Sequence, residues 1–165
     1  MGDWLTVHVD GVPAPQGSKN AYRRGQRIVL VESSEKVGPW RDAVALAVRG
    51  AVARLPEAER ERRIEPHVPL AVAAVFSMPP PKRLVRRYPT TKPDIDKLLR
   101  STFDGITAGG GWRDDSQAVV VSAGMVYGPP FGAYLSITEL SDDHVTVLAE
   151  RAGARLNTRY KGEKE

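Results

Sequence analysis

The alternation of apolar and polar residues predicts two strands near the beginning of the chain. Leu5, Val7 and Val9 alternate with polar residues, and a second apolar run, "RIVLV", occupies residues 27–31. The turn-rich basic segment "DGVPAPQGSKN" lies between them. Because period-two alternation bounded by turn residues is typical of half-buried strands, we expect two strands joined by a mobile basic loop.

Helical spacing of apolar residues takes over after this region and predicts a helix over residues 35–55. The residues concerned are Val37, Trp40, Val44, Val48 and Val52. The charged stretch "LPEAERERRIEP" that follows is bounded by prolines, so we interpret it as a helix end or an exposed connection. The continuous apolar run "VPLAVAAVFSM" at residues 68–78 then predicts a strand buried on both faces, at the centre of a sheet.

A second helix is indicated by the clearest apolar stripe in the chain, which spans residues 95–106. Its members are Ile95, Leu98, Leu99, Thr102, Phe103 and Ile106. A proline-rich loop of about 15 residues, "PPPKRLVRRYPTTKP", precedes it, and loops of this length are usually functional or disordered. Three glycines at residues 109–111 predict a left-handed helix stop. Asp96 and Arg100 fall at the border of the stripe, where we expect half-buried side chains.

The last third of the chain predicts two more strands and a short helix. Residues 117–127 form one strand, and "GPPFG" is expected to be a hairpin connection to a strand at residues 133–138. Together the patterns predict a single α+β domain, with a mixed β-sheet packed by helices in the approximate order ββαβαββα. We expect this domain to span residues 1–155, followed by a polar, flexible tail at 156–165.

Composition narrows the kinds of site that the chain can carry. The 165 residues suffice for one domain, and the absence of cysteine excludes disulfides and thiolate zinc sites. With only three scattered histidines, any bound metal is expected to have oxygen ligands. No apolar run reaches the length of a membrane span, and no signal peptide is recognised, so we expect a cytoplasmic protein without a membrane partner.

The chain is basic, with a formal net charge of +4 and a pI near 9.5, and its positive charge is clustered. Such clusters are typical of proteins that hold a polyanion, although a solubilising surface is the alternative for any one cluster. If the partner is DNA, the basic residues near the candidate site are expected to contact its phosphates. These residues are Lys19, Arg23, Arg24, Arg27, Lys82, Arg83, Arg86, Arg87, Lys92 and Lys97.

Five aspartates are concentrated in "KPDIDKLLRSTFDGITAGGGWRDD", residues 92–115. Taken singly, each can be a helix cap, a turn residue or an ion-pair partner. Taken together, Asp94 in extended backbone and Asp96 in the first helical turn can converge. If the next strand pairs beside the strand before the helix, Asp114 or Asp115 is expected to lie across from them. Two or three carboxylates from different elements suffice to bind magnesium.

The same stretch resembles the RusA-type Holliday-junction resolvases. Their pattern runs as Lys/Arg-Pro-Asp-x-Asp-Asn, a lysine one turn on, Phe-Asp, and Trp-x-Asp-Asp-x-Gln before a strand. Here "KPDIDKLLRSTFDGI" and "GWRDDSQ" reproduce it over residues 92–117. The resemblance implies a small homodimeric endonuclease that depends on Mg²⁺, with Mn²⁺ as an alternative. Members of this family are often carried by phages and prophages, and the resemblance implies action on four-way DNA junctions in recombination and repair.

By this resemblance, Asp94, Asp96 and Asp115 correspond to the catalytic carboxylates that bind metal, and Asp114 is the adjacent acid that supports them at the metal. The chain departs from the family pattern at two positions. Arg100 stands where the family has its functional lysine; it can clamp a phosphate and stabilise its charge, but it cannot donate a proton. Lys97 replaces an asparagine amide that would orient the carboxylates.

The expected function is therefore magnesium-dependent, structure-specific cleavage of four-way DNA junctions by a homodimer, with water as the nucleophile. Three alternatives stay open. The first is a flap or general branched-DNA nuclease with the same metal site. The second is a module that binds branched DNA without cutting it, with Lys97 and Arg100 as marks of lost activity. The third is a basic α/β domain whose aspartates only cap helices and turns.

Overall fold

A computed structural model describes residues 5–17, 19–24, 27–32, 35–83 and 86–154, with the backbone alone for the strands at 19–24 and 27–32. The strands are β1 (Leu5–Asp10), β2 (Lys19–Arg24), β3 (Arg27–Glu32), β4 (Leu70–Met78), β5 (Ala118–Tyr127) and β6 (Gly132–Glu139). The helices are α1 (Val37–Val52), α2 (Glu57–Arg62), α3 (Ile95–Gly109) and α4 (Asp142–Ala152), and Asp115–Gln117 form a 3₁₀ turn. The predicted α+β class with a mixed sheet is confirmed. The order differs by one added strand, β2, and one added helix, α2.

Four strands form the main sheet in the order β1-β6-β4-β5. Strand β6 is antiparallel to both β1 and β4, whereas β5 is parallel to β4. The apolar strand β4 therefore lies inside the sheet, as predicted. The expectation that it is buried on both faces is wrong, because Ala73 and Val75 on one face are exposed. The expected hairpin between β5 and β6 is wrong, because β4 separates them. The connection between them passes over the end of β4, where Gly128 N–H donates to the Met78 carbonyl at 3.2 Å.

The basic segment before residue 27 is not only a loop, because β2 and β3 pair with each other as a separate two-stranded sheet. Their antiparallel register runs from Lys19 opposite Glu32 to Arg24 opposite Arg27. The sequence "KNAYRR" of β2 has no clear apolar alternation. Pairing with β3 supplies the hydrogen bonds that hold it extended, and such pairing is not visible in the local pattern.

Helices α1 and α3 pack closely through small residues. A Cβ atom added to Gly105 would lie 2.6 Å from Val44 Cβ, and one added to Gly109 would lie 2.7 Å from the Ala45 carbonyl oxygen. In the same interface the Trp40 indole N–H donates to Thr102 Oγ1 at 3.1 Å. The two backbones approach this closely because glycine has no side chain.

This packing rotates the buried face of α3 by about 60° from the predicted stripe, at 100° per residue. Leu98, Ser101, Thr102, Gly105, Ile106 and Gly109 are buried. Ile95, Leu99 and Phe103 are only partly buried. Asp96 and Arg100 are consequently exposed on the outer side of α3, so the expectation that they are half buried is wrong.

The core lies between this helix layer and one face of the main sheet. Leu5, Val7 and Val9 of β1 enter it beside Phe76 of β4 and Leu135 of β6. The predicted helix over 35–55 is confirmed as Val37–Val52. Gly110, with φ of 74°, ends α3 in the predicted left-handed conformation. The predicted tail at 156–165 lies outside the described residues, and no helix among the described residues has the length and apolarity to span a membrane.

Candidate active site

The first acidic pair lies where the long loop enters α3. Asp94 is the N-cap residue in extended backbone, with φ of −75° and ψ of 138°, and Asp96 lies in the first turn. This confirms the predicted backbone arrangement of the pair. The Asp94 carboxylate does not cap a helix N–H group; it accepts a hydrogen bond from Lys97 Nζ at 2.7 Å. Both carboxylates lie at the positive end of the helix dipole, which favours negative charge there.

Lys97 sets the charge state of Asp94. Its hydrogen bond lowers the pKa of the Asp94 carboxyl below the ordinary value, its positive charge lowers it further, and Lys92 adds a smaller effect. The same contact raises the pKa of Lys97. Asp94 is therefore ionised over the whole physiological range, which is the form that a cation or a hydrogen-bond donor requires.

A cleft of about 460 Å³ opens beside Asp94. One wall is the segment at residues 12–17, which α3 holds through two contacts. Gln16 N–H donates to the Lys97 carbonyl at 3.0 Å, and Ser101 Oγ donates to the Ala14 carbonyl at 2.6 Å. Sequence reasoning missed this wall and the nearby Lys36, although the proline- and glycine-rich composition of the segment was a signal.

The second acidic pair lies in the 3₁₀ turn that leads into β5. Asp114 caps this turn, since its carboxylate accepts from Ser116 N–H at 2.9 Å. The pKa of Asp114 is lowered, first by the Ser116 hydroxyl and then by the Ser116 N–H. Asp115 is exposed, and the described residues provide no hydrogen-bond partner for its carboxylate.

Gln117 and Trp112 anchor the turn that carries these carboxylates. The buried Gln117 accepts from the N–H groups of Arg113 and Asp114 at 2.9 and 3.2 Å. Its amide donates to three carbonyls that precede β4, those of Arg63, Glu65 and Val68, at 3.2, 3.3 and 3.1 Å. The Trp112 indole N–H donates to Thr107 Oγ1 at 2.6 Å, and its ring meets Phe103 edge-on at 5.0 Å. In the sequence, Trp112 and Gln117 were recognised only as members of the Trp-x-Asp-Asp-x-Gln motif, without an anchoring role.

The two acidic pairs lie at opposite ends of α3. The helix has 15 residues, so its ends are about 22 Å apart at 1.5 Å per residue. Because β5 is parallel to β4, the start of β5 lies beside the start of β4, whereas Asp94 follows the end of β4. The expectation that Asp114 or Asp115 lies across from Asp94 and Asp96 in one chain is therefore wrong. Accordingly, the described residues contain no group of three His, Cys, Asp or Glu side chains that could hold a metal ion.

Arg100 projects from the exposed side of α3, one turn after Asp96. The described residues include no ion-pair partner for it. Asp104, which could have paired with Arg100 at i+4, instead contacts Arg41 of α1 at 2.6 Å. A guanidinium without a protein partner at this position is available to a phosphate.

Half of the ten predicted DNA-contacting residues lie in the loop that leads to Asp94. Lys82, Arg83, Arg86, Arg87 and Lys92 are all exposed. The Arg87 guanidinium lies 5.4 Å from the centre of the Tyr88 ring, and Arg86 Nη1 donates to Thr90 Oγ1 at 3.4 Å. Of the remaining five, Lys97 lies in α3 and pairs with Asp94. The other four, Lys19, Arg23, Arg24 and Arg27, belong to β2 and β3, and their side chains lie outside the description.

The aspartates and the Trp-to-Gln turn are the elements that carried the resemblance in the sequence, and comparison with known proteins agrees with it. The family model described as Endodeoxyribonuclease RusA matches residues 10–138, which include both acidic pairs, the cleft and strands β4 and β5. None of the curated proteins compared with the chain matches it. Because the family match covers well over half of the sequence, the chain belongs to the RusA endodeoxyribonuclease family.

Proposed function

We propose that the protein is a magnesium-dependent endonuclease that cuts four-way DNA junctions, as a homodimer acting on DNA in the cytoplasm. The observation that carries the proposal is the pair of acidic groups at the two ends of α3, within a chain of the RusA endodeoxyribonuclease family. Asp94, Asp96 and Asp115 are the proposed catalytic ligands, and Asp114 supports Asp115.

The separation of the acidic groups leads to a shared site. Because one chain holds Asp94 and Asp96 at the beginning of α3 and Asp115 in the turn beyond its other end, these carboxylates form no common group among the described residues of a single copy. Two α3 helices packed antiparallel about a two-fold axis would bring the start of one helix to the end of the other. Each site would then combine Asp94 and Asp96 of one copy with Asp115 of the second copy, and the dimer would have two sites.

Strand β5 and the outer side of α3 form the surface best suited to this pairing. Within the described chain β5 pairs with β4 alone, so its other edge is open. Val119 and Val121 of β5 are 59% and 37% exposed, which is unusual for valine in a sheet. Antiparallel pairing of β5 with its copy would cover this edge, extend the sheet across the dimer and bring the two α3 helices side by side.

The proposed ligands suit magnesium in their chemistry. Magnesium prefers hard oxygen ligands, and all of the candidates are carboxylates, of which Asp94 has its pKa lowered by Lys97. When bound, the ion would supply a Lewis acid for the phosphate and a water of lowered pKa. Manganese, which takes the same ligand types, is expected to substitute.

The remaining residues act on the DNA directly. Arg100 donates hydrogen bonds to the phosphate oxygens and stabilises their charge in the transition state. Lys97, already paired with Asp94 at 2.7 Å, positions that carboxylate. The exposed basic residues of the loop 79–93 hold the arms of the junction through their phosphates, so binding is expected to weaken steeply with salt.

A panel of labelled substrates tests this function. Four-way junctions, flaps and linear duplex of matched sequence are incubated with the protein in magnesium, in manganese and with EDTA. The proposal predicts symmetric cuts in the four-way junction with either metal and none with EDTA. Preferential cutting of flaps would support the alternative of a general branched-DNA nuclease. Tight junction binding without cutting in either metal would support the non-cleaving module.

A further inference from the structure

We propose that the cleft between the segment at residues 12–17 and the start of α3 binds one unstacked nucleobase of the strand that is cut. This inference rests on the proposed function, because it takes the DNA to lie at Asp94. It adds a base-binding site beside the carboxylates, which the charge pattern alone would not indicate.

The size and lining of the cleft suit a base. Its volume of about 460 Å³ falls within the range of about 300–1,000 Å³ that is usual for small-molecule sites. Val12, Pro13, Pro15, Met78 and Pro93 make its walls mainly apolar. Enzymes that take a base out of the stack hold it between aromatic or apolar side chains, and the proline rings of the cleft provide apolar surfaces of this kind.

Hydrogen bonds to neighbouring elements hold the outer wall of the cleft in place. Its outer wall is held to α3 by the Gln16 N–H to Lys97 and Ser101 hydroxyl to Ala14 hydrogen bonds described above. Gly11 N–H anchors the beginning of the same segment to the Phe131 carbonyl at 3.1 Å. A preformed wall reduces the ordering cost that binding would otherwise incur.

Charged groups at the cleft identify a nucleic-acid strand as the source of its occupant. Lys36, Lys92 and Lys97 line it together with a single carboxylate, Asp94. An apolar ligand without charge would not need three ammonium groups around it. A nucleotide within a strand would be held by such groups, because a phosphate is attached on either side of its sugar. The position of Asp94 at the same cleft places that base next to the phosphate to be cut.

Gln16 supplies a polar group that can select the base. It lines the cleft, and its Oε1 atom is buried without a hydrogen-bond partner among the described residues. A buried acceptor without a partner is unfavourable, so the amide gains by turning toward a donor in the cleft. Cytosine and adenine present exocyclic amino groups as such donors, and these groups are free only when the base is unpaired.

Base unstacking can be measured separately from cutting. Junctions that carry 2-aminopurine at single positions around the cut are bound in EDTA, since the fluorescence of this base is quenched by stacking. We expect a severalfold rise at one position next to the cut and little change elsewhere. No rise at any position, while the junction is bound, would overturn the proposal.

Filling the cleft provides a matched test. Val12 is 52% exposed, so Val12→Trp is expected to fold while placing a large side chain in the cleft. Leu46, on the outside of α1 and 70% exposed, gives the control Leu46→Trp. The 2-aminopurine signal should disappear in the first variant and persist in the second, with equal thermal stability. An unchanged signal in a folded Val12→Trp protein would contradict the proposal.

Removal of the acceptor tests the polar contact. At the unstacked position, cytosine is compared with 2-pyrimidinone and adenine with purine, because each analogue lacks only the amino group. We expect the wild-type protein to bind one of the amino bases about tenfold more tightly than its analogue, and Gln16→Leu to bind both equally. Equal binding by the wild type would eliminate the amino contact. If the wild type unstacks the base but cuts no substrate with any metal, the base site stands and the proposed nuclease function fails.

Discussion

Lys97 Nζ lies 2.7 Å from Asp94 Oδ2. The carboxylate of the N-cap residue of α3 therefore accepts from a lysine one turn later and not from the helix backbone. An N-cap aspartate normally accepts from a backbone N–H group. Here the start of α3 has an ionised carboxylate that does not cap it, beside a second carboxylate, Asp96. This arrangement favours a binding role for the pair over a capping role.

The first prediction concerns the charge state of Asp94. Replacing Lys97 with alanine should raise the Asp94 pKa toward its ordinary value near 3.8, because the main cause of the lowered pKa is removed. Because the pKa of Asp94 is lowered in the folded protein, this contact stabilises the fold above the unfolded pKa of about 3.9. The stabilisation is lost as the pH falls through the pKa of the folded state. Carbon-detected NMR titration measures the pKa of Asp94 in each protein. Lys92→Ala is the control, with a smaller shift, and equal shifts would argue against the Lys97 contact.

The second prediction concerns Arg100, which has no ion-pair partner among the described residues. If it stabilises phosphate charge, Arg100→Ala should reduce cleavage by about 100-fold or more, while Arg100→Lys retains much of the activity. Thermal stability should be unchanged, because Asp104 pairs with Arg41. Arg54→Ala removes the same charge from an exposed site at the end of α1 and should leave cleavage nearly intact. Wild-type cleavage by Arg100→Ala would remove this residue from the mechanism.

The third prediction concerns the contact between α1 and α3. Gly105→Ala should destabilise the protein by about 1–3 kcal/mol, because its Cβ would meet Val44 Cβ at 2.6 Å. Gly50→Ala is the matched change on α1, where the nearest atom is the flexible end of Arg54 at 3.9 Å. It should stabilise the helix by up to about 1 kcal/mol. Urea denaturation compares the two, and equal effects would mean that the close approach of the helices is not required.

The fourth prediction concerns Gln117, which fixes the turn of Asp114 and Asp115. Gln117→Leu should cost about 2–4 kcal/mol of stability, because it leaves buried N–H and carbonyl groups without partners. Cleavage measured well below the melting temperature should also fall, since Asp115 loses its fixed position. Ser116→Ala, at an exposed neighbour, should cost less than about 1 kcal/mol. A Gln117→Leu protein with wild-type stability and cleavage would contradict the proposed anchoring role.

The sequence predicted most of the elements but not how they are arranged. Helix α3 and strand β4 were recognised because their apolar periodicity is local and strong. The rotation of α3 was missed because Gly105 and Gly109 contribute to packing through the absence of a side chain, which a hydrophobic pattern does not register. Ser101, Gly105 and Gly109 follow one another at intervals of four residues, and this regular spacing of small residues was the available signal.

The relative position of the acidic pairs depends on the pairing of strands that are distant in the sequence. Asp94, Asp96, Asp114 and Asp115 were identified from the motif, but their separation follows from the parallel pairing of β4 with β5. That pairing, and the insertion of β4 between β5 and β6, is decided by burial of the whole sheet and not by any local stretch. The cleft was missed for the same reason, since its walls come from four separate parts of the chain.

The central claim, that Asp96 of one copy and Asp115 of the other complete one site, is tested most directly by mixing two inactive variants. Asp96→Asn and Asp115→Asn proteins are each expected to bind junctions and to lose cleavage by several orders of magnitude. They are unfolded and refolded together, and nicking of a junction-bearing plasmid is measured.

In a shared-site dimer, each mixed pair has one site with both substitutions and one site with neither. Random pairing should therefore restore about one quarter of the wild-type sites and produce clear nicking. If each chain carries its own complete site, every site in the mixture contains one substitution, and the mixture should stay as inactive as its components. Restored nicking is the result expected of a shared site. A mixture of folded, paired proteins without nicking would show that the two copies do not share a site.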